Sequence, residues 1–108
     1  MSFITVYITH ASEKAAKLMV DQLLEKKIIA CGNLFPITSA YWWQEAICKE
    51  TEWVSLVKTQ SKYWEPLKEW VEEKHPYDVP CIMKFEVEAN AAYENWINKM
   101  TQQAIFTK

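Results

Sequence analysis

At 108 residues, half of them apolar and six of them Trp, the chain is a single domain, residues 1–108, with ample core material. A domain of that size buries roughly two thirds of its unfolded surface without disulfide help. A net charge of −2, with twelve Lys and no Arg, gives no electrostatic handle for a polyanion, so no nucleic-acid partner is expected. The lone glycine, Gly32, excludes the glycine-rich phosphate cradles.

Phe3 to Thr9 is β-branched and aromatic, with Ile4, Val6 and Ile8 on one face and Phe3 and Tyr7 on the other, which predicts a central strand. Ser12 is a natural N-cap. Behind it, Ala16, Met19, Val20, Leu23 and Leu24 recur at helical spacing up to Glu25-Lys26-Lys27. Ile28 to Trp43 and Ala46 to Thr59 read as two extended arms joined by Gln44-Glu45, one long hairpin. Pro36 cannot donate to a central ladder and predicts a break in the first arm, and Gly32 predicts a bulge or a close backbone approach. From about Ser61 to Lys74, Tyr63, Leu67, Trp70, Val71 and Lys74 keep helical spacing; with Ser61 as the cap Pro66 falls past the first turn, which leaves the start of this helix open. Cys81 to Val87 predicts a further strand. Asn90 then caps a helix carrying Tyr93, Trp96, Ile97 and Met100, and Gln102 to Lys108 carry no pattern.

The order β-α-β-β-α-β plus a C-terminal helix is the α+β, ferredoxin-like split βαβ arrangement, with both main helices on one face of an antiparallel sheet. Arms of about fourteen residues at ~3.3 Å each span roughly 46 Å, against a radius of gyration of about 13 Å for such a domain. The β2–β3 hairpin must bend, or overhang and pair with another subunit. Tipped by Tyr41-Trp42-Trp43, an overhang exposes a large apolar patch on a monomer, so assembly with further copies of the chain is the expected partnership.

Cys31, Cys48 and Cys81 are odd in number and show no CxxC spacing, which points to a reducing, cytoplasmic compartment. No secretory pattern opens the chain and no apolar run approaches a membrane span, so no membrane partner is expected. The chemistry-bearing stretch is His75-Pro76-Tyr77-Asp78-Val79-Pro80, two prolines bracketing an imidazole, a phenol and a carboxylate on a stiff loop.

Val6-Tyr7-Ile8-Thr9, Ile29-Ala30-Cys31-Gly32-Asn33-Leu34-Phe35-Pro36, Ser39-Ala40-Tyr41-Trp42-Trp43, Val57-Lys58-Thr59, the His75–Pro80 loop and Ala92-Tyr93 with Trp96 resemble, in that order, the CutA family of divalent-cation tolerance proteins. The resemblance implies a homotrimer similar in architecture to the PII-type signalling trimers, a role in tolerance to divalent metals, copper above all, and no enzymatic reaction. Some copper-binding members carry a first-strand cysteine where this chain has Ile8, and a His-His pair where it has Lys74-His75. Candidate metal ligands are therefore His75, Cys31 and Cys81, with no required cofactor and weak binding of Cu²⁺ or another divalent cation. The runner-up is a PII-like sensor that binds a small molecule in a cleft between subunits lined by Tyr41, Trp43, Lys58, His75 and Tyr77.

Each candidate has a plainer reading. His75 beside Pro76 also serves as a helix terminator, Cys31 as a small core residue, Tyr41-Trp42-Trp43 as interface packing and Lys58 as a solvated charge. His10 has no evident partner and reads as a loop residue. Among rivals of this fold or size, an RNA-recognition domain would need a basic aromatic third strand where Lys49-Glu50-Thr51-Glu52-Trp53-Val54 is acidic. A metallochaperone would need paired soft ligands, and an acylphosphatase-like hydrolase would need an arginine.

Overall fold

The computed structural model describes residues 3–106. In chain order it contains β1 (Phe3–His10), α1 (Glu13–Glu25), β2 (Cys31–Trp43), β3 (Ala46–Gln60), a 3₁₀ turn (Ser61–Tyr63), α2 (Trp64–Lys74), β4 (Ile82–Val87) and α3 (Ala91–Met100). The strands form one antiparallel sheet in the order β2-β3-β1-β4. The element order is that of the split βαβ arrangement.

The α1 cap forms as expected, with Ser12 Oγ accepting from the Ala15 N–H at 3.1 Å. The start of α2, left open by Pro66, does not fall at Ser61. Ser61 opens the 3₁₀ turn instead, and α2 begins at Trp64, which places Pro66 in its first turn, where a missing N–H breaks no intrahelical bond. Asn90 precedes α3 but contributes only its carbonyl, while Glu94 Oε1 accepts from the Ala89 N–H at 2.9 Å.

Ile4, Val6 and Ile8 of β1 and Val57 of β3 meet Met19, Val20 and Leu23 of α1 and Leu67, Trp70 and Val71 of α2 in one buried cluster. Both main helices therefore cover the same face. The opposite face is covered at one end by α3, where Tyr93 packs edge-on against Phe3 at 5.8 Å. Met83, Phe85 and Phe35 on that face remain exposed. The chain after α3 returns to the core through the Ile105 N–H to Lys26 carbonyl bond at 2.8 Å and the packing of Phe106 on Tyr63. The sequence pattern left that segment unassigned, and its last two residues lie outside the described range.

The break expected at Pro36 is absent. The β2–β3 register runs from Cys31↔Lys58 to Trp43↔Ala46 with no bulge, and Pro36 pairs with Trp53. Because β2 is the edge strand, the missing proline donor costs no interior hydrogen bond. At Gly32 the close approach is the correct alternative, since a Cβ there would meet Val20 Cγ1 at 3.1 Å and Val57 Cγ1 at 3.3 Å. The two-residue turn Gln44-Glu45 has φ of 50° and 66°. That is the left-handed geometry hairpins favour, built without the usual Asn-Gly.

The hairpin does overhang. β1 reaches only to the His10↔Trp53 pair, so the rungs from Ile37↔Glu52 to Trp43↔Ala46 run on alone for roughly 20 Å. The longest dimension of the fold is accordingly 45 Å, against 30 and 22 Å for the other two.

A candidate acidic and aromatic binding site

β1 ends at His10, and beyond it the two-stranded ribbon has lost its neighbour on the β1 side. Into this corner runs the segment after α2. His75 is the C-cap of that helix, its N–H donating to the Val71 carbonyl at 2.8 Å, and Pro76 forbids continuation. The buried His75 ring has both nitrogens engaged. Nε2 lies 2.7 Å from the Thr9 carbonyl, which can only accept, so Nε2 carries the proton and Nδ1 accepts from the Tyr77 N–H at 3.2 Å.

His75 also stacks on His10 at 5.6 Å and meets the Tyr77 ring edge-on at 4.6 Å. His10 is no loop residue. It is the last residue of β1, buried, with Nε2 2.8 Å from Ser55 Oγ. Burial, reinforced by the neighbouring His75 and partly opposed by Glu52, lowers its pKa to about 4, so the ring is neutral at physiological pH.

Tyr77 carries the connection onward by donating its hydroxyl to Glu52 at 2.9 Å. Glu52 is only 6% exposed, and among the described residues no basic side chain forms an ion pair with it. Further out on the ribbon the Tyr41 hydroxyl donates to Glu50 at 2.8 Å. Residues 41, 43, 48, 50 and 52 share one face by alternation and register, and the loop lies over them. Between ribbon and loop is a cavity of about 420 Å³ with aromatic walls from Tyr41, Trp43 and Tyr77. Its acids are Glu50, Glu52 and Asp78, and Cys48 and Val79 complete the lining. Both phenols are held protonated: Tyr41 is pushed up to about 12 mainly by its bond to Glu50, and Tyr77 is raised by burial first and by its bond to Glu52 second.

The cavity thus gathers three of the five residues expected to line a ligand site, Tyr41, Trp43 and Tyr77, with His75 just behind Tyr77. Lys58 is elsewhere in the chain. It pairs with Cys31 and Thr5 and donates to Asn33 Oδ1, six residues along β3 from Glu52 and roughly 20 Å away. Lys58 and His75 flank α2 in sequence but do not meet within one chain.

The three candidate metal ligands are also dispersed. Cys31 Sγ bonds the Tyr93 hydroxyl at 3.3 Å under α3, at the opposite end of the sheet from His75. Cys81 lies nearer, its carbonyl accepting from the Thr9 N–H at 3.4 Å, but burial raises its thiol pKa and disfavours the thiolate a metal needs. Among the described residues no group of three or more His, Cys, Asp or Glu is placed to hold a metal ion. His75, with both nitrogens engaged, offers no lone pair. One chain as folded therefore does not fit a closed copper site, because His75, Cys31 and Cys81 sit at separate places around the sheet, which their spacing along the sequence did not reveal.

Glu52, Glu50 and Ser55 were not singled out from the sequence, His10 was read as a loop residue and Cys48 only as one of three unpaired cysteines, whereas Asp78 and Val79 belong to the loop picked out for its carboxylate. The alternation Cys48, Glu50, Glu52 was a usable sign of a common face. What hid it was that a charged strand segment ordinarily faces water.

A family model for the CutA1 divalent ion tolerance protein matches residues 4–100. The chain belongs to the CutA1 family. It is 38% identical over 101 residues to the divalent-cation tolerance protein CutA of Pyrococcus horikoshii, covering 93% of this chain and 99% of that one. The crystal structure of CutA1 from Oryza sativa superposes with a TM-score of 0.90 at 29% identity, covering 96% of this chain and 97% of that one. The structure of the protein from Archaeoglobus fulgidus, described as a periplasmic divalent cation tolerance protein CutA, superposes with a TM-score of 0.87 at 35% identity, covering 94% of this chain and 99% of that one.

Proposed function

We propose that this CutA1 family member acts as a homotrimer in tolerance to divalent metal ions, copper above all, and does so as a binding protein rather than an enzyme. The match of the family model across residues 4–100 carries the reading. The overhanging ribbon supports the assembly, since Trp42 and Ile47 at its tip are 71% and 60% exposed in one chain. Light scattering is expected to return about three times the chain mass of 12.8 kDa. A mass near one chain overturns the assembly.

Metal binding by the chain is weak in this reading, because His75 would have to surrender a hydrogen bond to become a ligand. Titration with Cu²⁺ is expected to give micromolar or weaker affinity, and nanomolar affinity would mean that neighbouring subunits complete a site. Free thiols at Cys31, Cys48 and Cys81 support a reducing, cytoplasmic location. No helix of the described residues is long and apolar enough to cross a membrane. The Ser55–His10 pair has the contact of a nucleophile and its base, but Ser55 is fully buried and no substrate reaches it.

One observation favours a second reading, a PII-like sensor of a small molecule. The cavity under the His75–Pro80 loop has the volume of a ligand pocket and mixes aromatic walls with directed polar groups.

A further inference from the structure

We infer that the cavity between the hairpin ribbon and the His75–Pro80 loop binds a small organic cation bearing an ammonium or guanidinium group. This rests on the small-molecule reading of the cavity and is independent of the metal reading. Three carboxylates, Glu50, Glu52 and Asp78, line the space, and no lysine does among the described residues. Glu52 sets the requirement. A carboxylate this deeply buried is ordinarily paired with a positive charge, and its hydrogen-bond partner here is the neutral phenol of Tyr77. His10, whose ring interacts electrostatically with Glu52, is held uncharged chiefly by burial. The charge that completes the site therefore comes from outside the chain.

The walls say what kind of cation it is. Tyr41, Trp43 and Tyr77 offer ring surfaces, which attract ammonium and guanidinium groups and also cover an apolar stem. A volume of about 420 Å³ suits a molecule of several heavy atoms. A bare metal ion is a poor match, since the acids are not clustered as a ligand set and two of them already accept from tyrosine hydroxyls. An anionic metabolite is disfavoured by three like charges.

The test is calorimetric titration of the full-length protein, in its own oligomeric state, with three probes: spermidine, Mg²⁺ and citrate. Spermidine is expected to bind at one site per chain in the micromolar range, weakening as salt is raised, with neither Mg²⁺ nor citrate competing at equal concentration. Glu52→Gln keeps the shape and an acceptor for Tyr77, and is expected to weaken spermidine binding by at least about tenfold. Glu13→Gln, on the exposed side of α1, is expected to leave it unchanged. Should Glu52→Gln fail to fold, Glu50→Gln carries the same expectation. Spermidine binding that is matched by Mg²⁺ and indifferent to the carboxylate substitutions overturns the site. Saturable binding of citrate in place of spermidine overturns the cation assignment while leaving a small-molecule pocket. Silence from both organic probes overturns the inference and the small-molecule reading together, and means that a neighbouring subunit fills the space.

Discussion

The two halves of β3 are one strand with two fates. From Val54 to Thr59 it lies in the middle of the sheet under α1 and α2, and Val54, Ser55, Val57 and Thr59 are fully buried. From Ala46 to Thr51 it belongs to a two-stranded ribbon whose residues are mostly exposed. The backbone pairing with β2 is the same in both. The difference is what lies on the faces, because a hairpin alone buries little apolar surface and gains its stability only from what packs on it. The ribbon is thus the part of the fold left free to meet another molecule.

The sharpest way to test that contrast is to truncate one apolar side chain in each half of the structure. Leu67→Ala, in the fully buried cluster, is expected to cost about 3 kcal/mol in urea denaturation, whereas Ile47→Ala on the ribbon should change the folding stability of a chain by less than about 0.5 kcal/mol. Similar costs at both would mean that the ribbon is as much a part of the monomer core as the helices.

Trp43 is expected to behave differently from either. If the ribbon is the assembly surface, Trp43→Ala weakens subunit association by about 2 kcal/mol or more, read from the concentration dependence of sedimentation. An unaltered association constant would put that ring outside the interface.

The corner where body and ribbon meet should respond to acid. The folded-state pKa of His10, about 4, lies below the unfolded value of about 6.5, so between these values the unfolded chain holds more protons and stability falls as pH drops. The contribution is fully present above about pH 6.5 and exhausted near pH 4, with a loss on the order of 2 kcal/mol. Denaturation midpoints at pH 7 and pH 4.5 measure it, and His10→Gln is expected to flatten the profile in that window.

A modest gain is expected at the ribbon tip. Gln44 and Glu45 both hold positive φ, so replacing the pair by Asn-Gly should stabilise the hairpin by about 1 kcal/mol, visible as a raised melting temperature. A destabilisation would show that the two side chains make contacts worth more than the backbone strain.

The secondary structure and the family were legible because they rest on local patterns: the alternation in Phe3–His10, the 3.6 spacing behind Ser12, the order of the motif blocks. Pro36 misled because the residue pattern does not say which strand is an edge. The start of α2 stayed open because Pro66 conflicts with a cap at Ser61, and the structure defers the helix one turn to Trp64. The candidate site was half visible. Tyr41, Trp43 and Tyr77 stood out as aromatic runs or by the prolines around them, but Glu52 looked like a surface acid and His10 like a loop residue without a partner.

From residues alone, then, came an α+β chain of the CutA family, a hairpin too long for its domain, and a stiff loop carrying His75 and Tyr77. The tertiary structure alone brought Tyr77 onto Glu52, set His10 against Ser55, and kept Cys31 and Lys58 away from His75 at the other end of the sheet. The physical reason is one of range. Periodicity, capping and turn chemistry act over a few residues, whereas burial and the charge state it imposes depend on neighbours that lie 25 to 66 positions apart in the sequence.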